Sequence, residues 1–280
     1  MIKNICVAGA GTMGSGIALC AAQNNFVVVL FDTNQNGIEN AKNTITKNLN
    51  FLLAKEKISV EEKEIIYNRI LFTTNINDCV GDVVIEAIVE NIEIKETLYK
   101  TIASINNANT ILASNTSSLS ISAIQKNIEH PQRVCGMHFF NPAHIMKLVE
   151  VVAGEQTSEN TIKSIFNLCL QLKKQPVICK DAPGFIVNRV ARHYYLEAMH
   201  IASTQNIAIE NIDALLENVG FKMGPFKLMD LIGLDVNYAV SKSIYAAFDN
   251  NLRFAPAALQ AQKVTEGKLG KKSGEGFYKY

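Results

Sequence analysis

Histidine is the side chain whose charge changes most readily near neutral pH, and three of the five here, His130, His138 and His144, stand close together. His138 is placed for proton chemistry. The run Met137-His138-Phe139-Phe140-Asn141-Pro142 puts it at the end of an apolar strand, beside a turn. In open parallel sheets the carboxyl ends of the strands line the ligand crevice. Glu150 sits in Lys147-Leu148-Val149-Glu150-Val151-Val152, which reads as the next strand. A carboxylate in an apolar strand is costly unless it is paired. If the two strands are neighbours, Glu150 can reach His138 and fix the tautomer of its ring, as general acid–base work requires. A hydrogen-bonded core histidine is the structural alternative, and position alone leaves both open. His130, His193 and His200 read as structural or surface residues. Asn115-Thr116-Ser117-Ser118 follows a strand at another carboxyl end, where it could hold a substrate or nicotinamide group or equally cap the next helix. Asn188, just past Pro183-Gly184-Phe185, is uninformative by itself.

A second constellation opens the chain. The apolar run Ile5-Cys6-Val7-Ala8 leads into Gly9-Ala10-Gly11-Thr12-Met13-Gly14, then a helical stretch over 15–23, then a second apolar run over 26–31 that stops at Asp32. This is G-x-G-x-x-G in the strand–turn–helix context that gives the pattern meaning. Gly9 suits the tight turn, Gly11 a close backbone approach to a pyrophosphate, and Gly14 close helix–strand packing. The pyrophosphate would rest on backbone N–H groups at the positive end of the helix. Asp32 lies where a carboxylate accepts hydrogen bonds from an adenosine ribose and repels a 2′-phosphate. Thr33-Asn34 supply no cation to offset it, so NAD is expected over NADP.

The elements around these residues alternate as an α/β domain requires. Ile38, Ala41, Ile45, Leu49 and Leu52/Leu53 share one helical face over 38–57, and Ile94, Leu98, Ile102 and Ile105 share another. Residues 71–74, 83–88, 111–114 and 134–138 read as strands. After Pro183-Gly184 the period becomes helical, through Val187, Val190, Ala191, Tyr194, Ala198 and Ile201, with no convincing strand to follow. The expected architecture is a Rossmann-type, mostly parallel sheet domain over 1–183 and an all-α domain over 184–280.

Composition excludes other classes. Lys+Arg 27 against Asp+Glu 26 gives +1 over 280 residues, with basic residues dispersed among acids, so neither nucleic acid nor a membrane surface is an expected partner. Charged residues are 19%, below the roughly 25% of an average chain, which suggests buried subunit surface. The six cysteines show no CxxC or Cys/His ligand spacing, so neither a disulfide framework nor a metal site is expected, and a reducing cytoplasm fits. The opening residues run directly into a strand without the pattern of a signal peptide. There is no G-x-S-x-G elbow, P-loop or H-E-x-x-H.

Together these residues resemble the (S)-3-hydroxyacyl-CoA dehydrogenases, and among them the short-chain bacterial 3-hydroxybutyryl-CoA dehydrogenases. The resemblance runs end to end. It rests on residues 9–14, Glu86-Ala87-Ile88-Val89-Glu90-Asn91, Ser114-Asn115-Thr116-Ser117-Ser118-Leu119, 136–142 and 147–151, and on Lys180-Asp181-Ala182-Pro183-Gly184-Phe185-Ile186-Val187-Asn188-Arg189. Gly224-Pro225-Phe226, Gly233-Leu234-Asp235 and the tail 270–278 complete it. The resemblance implies that His138 is the base for the 3-hydroxyl proton and Glu150 its partner, with Ser117 and Asn188 hydrogen-bonding the oxygen at C3. It implies cofactor contacts from residues 9–14 and from Asp32, Glu90, Lys95, Asn115, Ser117, Asn141 and Lys272. Asn48 and Lys55 stand where relatives contact the CoA nucleotide, and the helical domain resembles one through which relatives form homodimers. A sugar-acid (L-gulonate-type) dehydrogenase and a non-catalytic NAD-binding protein of the crystallin kind are the runner-up readings. Two stretches depart from the family pattern. Ala143-His144-Ile145-Met146 stands where relatives carry a further proline, and Ala191-Arg192-His193-Tyr194 where they are more apolar. Both bear on the shape of the acyl pocket.

Overall fold

The computed structural model describes residues 2–280. The chain divides after Ala182 into two compact units, the second being Pro183–Tyr280. The first unit contains β1 (Asn4–Ala8), α1 (Thr12–Gln23), β2 (Val27–Phe31), α2 (Gln35–Ala54), α3 (Val60–Asn68), β3 (Ile70–Thr73) and β4 (Val83–Glu86). It continues with α4 (Ile92–Ile105), β5 (Ile111–Ser114), α5 (Ile121–Gln125), β6 (Val134–Phe139), β7 (Leu148–Ala153), α6 (Glu159–Gln171) and β8 (Gln175–Lys180). The eight strands form one sheet in the order β3-β2-β1-β4-β5-β6-β7-β8. β1 to β6 run parallel, β7 turns antiparallel to β6, and β8 runs parallel to β7. The first six strands have the doubly wound order, with its switch point between β1 and β4, where such sheets take ligands beyond the strand ends.

Strands buried on both faces must be apolar throughout, and β4, β5 and β6 are buried at every position. The helices start on local caps. Asn34 accepts from the amide of Asn36, Asn91 from that of Ile94 and Ser158 from that of Thr161, each satisfying a donor the first helical turn leaves open. In α2 the buried positions are Ile38, Ala41, Ile45 and Leu49, the face expected from the sequence. β4 ends at Glu86, two residues earlier than expected, because Ala87 onward forms the turn into Asn91 and α4.

The second unit holds α7 (Val187–Gln205), α8 (Ile209–Asn218), α9 (Pro225–Ile232), α10 (Leu234–Ala247) and α11 (Ala258–Thr265). Its core packs Leu196, Met199, Ile212, Phe226, Met229 and Leu234. Two buried carboxylates staple it. Asp213 accepts from the amides of Phe226 and Lys227 at the start of α9 and from the Tyr278 hydroxyl. Asp230 accepts from the amides of Phe277 and Tyr278 and the Tyr280 hydroxyl. The expected helical character is found, with isolated bridges at Gly270, Glu275 and Lys279 as the extended pairing. Among the described residues no helix is long and apolar enough to cross a membrane, and all six cysteines are buried and free.

Candidate active site

The three glycines of the first turn differ in what surrounds them. Gly9 has φ +103°, and a Cβ there would lie 2.6 Å from the Ala87 carbonyl oxygen. A Cβ on Gly14 would lie 1.7 Å from the Gly9 carbonyl oxygen, so only glycine lets α1 start this close to the turn. A Cβ on Gly11 would meet nothing within 4 Å. Gly11 is therefore spared for space outside the protein's own packing. Gly11 is the N-cap of α1, whose first turn (Thr12 and Met13 included) carries no acidic residue and no side-chain cap, leaving its amide donors for an anion. The Asp32 carboxylate is fixed by the amides of Ala10 at 2.8 Å and Asn34 at 2.9 Å. A cavity of about 740 Å³ adjoins these groups, lined by Gly9, Gly11, Phe31, Asp32, Ala87 and Val89 among others, and no Lys or Arg lines it. Open backbone beside Gly11, unspent amides and a fixed carboxylate without a cation fit a dinucleotide that lacks a 2′-phosphate.

Beyond β4 and β5 a buried ionic network fixes the loop over 115–118. Lys95, itself fully buried, donates to Glu86 at 2.5 Å and lies 3.3 Å from Glu90. Glu86 also accepts from the Ser114 hydroxyl at 2.7 Å, and burial outweighs both partners to push its carboxyl up. Burial acts the same way on Glu90, but there the Lys95 charge and the hydroxyls of Thr116 and Ser118 prevail and hold it down. One oxygen of Glu90 accepts from the Thr116 hydroxyl, the amides of Ser117 and Ser118, and the Ser118 hydroxyl. The loop is not a helix cap, since Ser120 caps α5 instead. The Ser117 hydroxyl makes no hydrogen bond among the described residues.

His138 and Glu150 are register partners across the β6–β7 ladder. His138 Nδ1 lies 2.8 Å from Glu150 Oε2, with both side chains buried. The Phe140 ring packs 4.6 Å from the imidazole, centroid to centroid. Asn115 accepts from the Phe139 amide at 2.8 Å, tying the 115–118 loop to the strand that carries His138.

The remaining expected residues fall in several places. Asn141 is exposed in the connection after β6. Lys95 is enclosed by Glu86 and Glu90, so it acts on the surface only through them. In the second unit Lys272 pairs with Asp235 at 2.6 Å, and Asn188 lies in the first turn of α7. Asn48 and Lys55 lie on the outer part of α2 and just past its end. Sequence reasoning missed a cavity of about 600 Å³ near them, lined by Leu52, Lys57, Arg69, Lys147, Lys173 and Lys174. Its cations come from four separate chain segments, so no local charge run announces it. His144, also on its wall, has its imidazole held below the usual range by burial and by Lys174.

Comparison with known proteins identifies the family. Residues 4–182 match "3-hydroxyacyl-CoA dehydrogenase, NAD binding domain" and 184–280 match "3-hydroxyacyl-CoA dehydrogenase, C-terminal domain". The chain is 44% identical to the 3-hydroxyadipyl-CoA dehydrogenase of Escherichia coli over 99% of its own length, and spans 59% of that protein. It is 38% identical to the mitochondrial hydroxyacyl-coenzyme A dehydrogenase of Sus scrofa, covering 100% of this chain and 92% of that one. The crystal structure of (S)-3-hydroxybutyryl-CoA dehydrogenase from Ralstonia eutropha superposes with a TM-score of 0.94 at 37% identity, covering 100% and 99% of the two chains. The chain belongs to the 3-hydroxyacyl-CoA dehydrogenase family of NAD-dependent oxidoreductases, and NAD is the cofactor of its N-terminal domain.

Proposed function

We propose that the protein interconverts 3-oxoacyl-CoA and (S)-3-hydroxyacyl-CoA thioesters, with acetoacetyl-CoA and 3-hydroxybutyryl-CoA as the shortest pair. The observation that carries this reading is the buried His138–Glu150 contact at 2.8 Å at the carboxyl end of β6. When bound, NAD accepts or returns the hydride at C3. The chain's own residues manage the proton. With Nδ1–H donating to Glu150, the basic nitrogen of His138 is Nε2. Nε2 takes the 3-hydroxyl proton in oxidation and returns it to the C3 oxygen in reduction. Glu150 holds that tautomer and stabilises the imidazolium as it forms. Ser117, whose amide is clamped by Glu90, and Asn188 hydrogen-bond the C3 oxygen.

Residues 9–14, Asp32, Glu90, Asn115, Asn141 and Lys272 bind or frame the cofactor, with Lys95 beneath Glu90. The cationic cavity near Lys57 and Lys174, with Asn48 and Lys55 close in sequence, suits the phosphates of CoA. The protein works as a cytoplasmic homodimer. Exposed apolar side chains in the second unit, including Leu215, Val219, Phe221, Leu231, Val236 and Leu252, support this, and light scattering giving a monomer mass at micromolar concentration would refute it. The reaction is tested by NADH absorbance with acetoacetyl-CoA, for the unmutated protein and His138→Ala, repeated with NADPH. Rapid NADH oxidation that drops about a hundredfold or more in the variant is expected. Folded protein that binds NADH yet turns over no 3-oxoacyl-CoA sinks the proposal.

A further inference from the structure

Lys95 is one cation shared by two carboxylates. Its ammonium lies 2.5 Å from Glu86 and 3.3 Å from Glu90, and no second cation pairs with either acid among the described residues. Side-chain exposure is 1% for Lys95 and 0% for Glu86, against 37% for Glu90. The shorter contact and the deeper burial both assign the ammonium to Glu86. Both oxygens of Glu86 accept, one from Lys95 and the other from the Ser114 hydroxyl at 2.7 Å, the pattern of an ionised carboxylate. Tyr99, also fully buried, has its phenol held above the usual range by burial and by Glu86, so it adds no charge.

Two carboxylates and one ammonium leave one negative charge in excess. A buried charge without a counter-charge is costly, and here the excess rests on Glu90, the most exposed of the three. The other partners of Glu90 are neutral dipoles. One oxygen accepts from the Thr116 hydroxyl, the Ser118 hydroxyl and the amides of Ser117 and Ser118. These donors hold the charge in place without cancelling it. The cofactor cavity supplies no compensation either, because Asp32 and Glu93 line it and no Lys or Arg does.

We infer that this triad, with Glu86 as its positioning residue, keeps one negative charge beside the nicotinamide ring and so favours the oxidised, positively charged ring over the reduced, neutral one. This placement rests on the proposed contact of Ser117 with the C3 oxygen. Hydride passes between C3 and the ring, and Glu90 accepts from the Ser117 amide at 3.1 Å. The two redox states share the same pyrophosphate and riboses, so those contacts cancel when their affinities are compared. The ring charge remains. In reduction a hydride moves from the ring to C3, His138 gives a proton to the C3 oxygen, and the ring gains one positive charge. An excess carboxylate stabilises that product, which makes bound NADH the stronger hydride donor. Glu86 touches neither substrate nor cofactor and acts by occupying Lys95. Without its charge the ammonium is matched by Glu90 alone, and the triad is neutral.

The test is calorimetric titration of the protein with NAD+ and with NADH, without an acyl substrate. Glu86→Gln keeps the size of the side chain and an acceptor for Lys95, and removes only the charge. Its affinity for NAD+ is expected to fall about three- to tenfold, the order of one unit charge acting over a short, partly screened distance. Its affinity for NADH is expected to move by less than about twofold. Ser114→Ala removes a hydrogen bond from the same network and no charge, so it should shift both affinities together. Parallel losses in Glu86→Gln, or an unchanged ratio, overturn the inference, since Glu86 would then be only a brace beneath the loop. So does a change of ratio in Ser114→Ala as large as that in Glu86→Gln. If Glu86→Gln does not fold, Glu90→Gln removes the excess charge at the exposed member. A loss selective for NAD+ supports the inference there, and an unchanged ratio overturns it. These titrations need no turnover, so failure to reduce any 3-oxoacyl-CoA counts against the proposed reaction, while the ratio decides the charge.

Discussion

Replacing Glu150 by Gln keeps the size of the side chain and an acceptor for His138 Nδ1–H, and removes only the charge. The carboxylate is 1% exposed and lies 2.8 Å from the ring nitrogen, so water does not screen it. A hydrogen bond to a charged group contributes about 1.5–3 kcal/mol, against about 1 for a neutral one. The full difference is felt only when the imidazole is protonated, which in the proposed mechanism happens as His138 takes the 3-hydroxyl proton in oxidation. At 1.36 kcal/mol per decade, kcat should fall between a few-fold and about 30-fold from the charge alone. It falls further to the extent that the carboxamide admits the wrong tautomer, which cost about 10⁴ in a serine protease with the same His–carboxylate logic. KM for (S)-3-hydroxybutyryl-CoA should move less than kcat. The assay is initial-rate NAD reduction with (S)-3-hydroxybutyryl-CoA in Glu150→Gln, His138→Ala and the double variant, each first shown to be folded. Because Glu150 acts through His138, the double variant should be no slower than His138→Ala. Full kcat in Glu150→Gln, or a double variant slowed by the product of the two single losses, would refute the assigned pair.

Gly11→Ala should fold with a stability within about 0.5 kcal/mol of the parent, because its Cβ meets nothing, yet lose NADH affinity in a fluorescence titration. Gly14→Ala places a Cβ 1.7 Å from the Gly9 carbonyl oxygen. It should be destabilised by about 1–3 kcal/mol or more in denaturant melts, so equal melts for the two variants would contradict their different surroundings. Glu90→Ala removes the acceptor of four hydrogen bonds from the 115–118 loop. It should lower kcat about tenfold or more through Ser117 and bring faster amide exchange at Ser117 and Ser118; unchanged exchange there would show the clamp to be unimportant. Asp82 accepts from the amides of Lys3 and Asn4, which outweigh burial and hold its carboxyl below the usual range. A lowered folded pKa stabilises above the ordinary carboxylate range and is lost as pH falls through it, so the stability gap between the parent and Asp82→Asn should shrink on acidification. A pH-independent gap would contradict that linkage.

What was legible in the sequence follows from how local each signal is. The glycine turn, Asp32 and the apolar runs of β1, β4, β5 and β6 are local, and all were visible. β8 was not expected, because it is an edge strand that begins Gln175-Pro176 and is exposed at four of six positions, so it has neither the apolar run nor the clean alternation that marks a strand. α6 was likewise not singled out, although Ser158 caps it and Thr161, Ile165, Leu168 and Cys169 give it a buried face. The charged network of Glu86, Lys95 and Glu90 joins β4 to α4 and was recognisable only as motif residues. Nothing in the spacing says that Lys95 is buried. Arg192 also donates to Asn237 and Ser241 on α10, about 45 residues away in sequence, and no periodicity reaches that far.

The His138–Glu150 contact shows how such distant information is nevertheless fixed. Side chains alternate across a strand, so a slip of one residue in the β6–β7 ladder would set Val149 or Val151 against His138 and turn the carboxylate to the opposite face. The eight-residue connection over 140–147 permits the antiparallel return, whereas a parallel strand would need a longer crossover. Gly136, two residues before His138, pairs with Val152. A Cβ on Gly136 would lie 2.7 Å from that of Val152 and 3.1 Å from Ile121, so the strands reach their spacing only with glycine at this position. Buried valines on either side of Glu150 hold β7 in the core, and the imidazole is the group placed to meet the one charge among them. Apolar packing thus selects the register, and the register brings the acid and the base together.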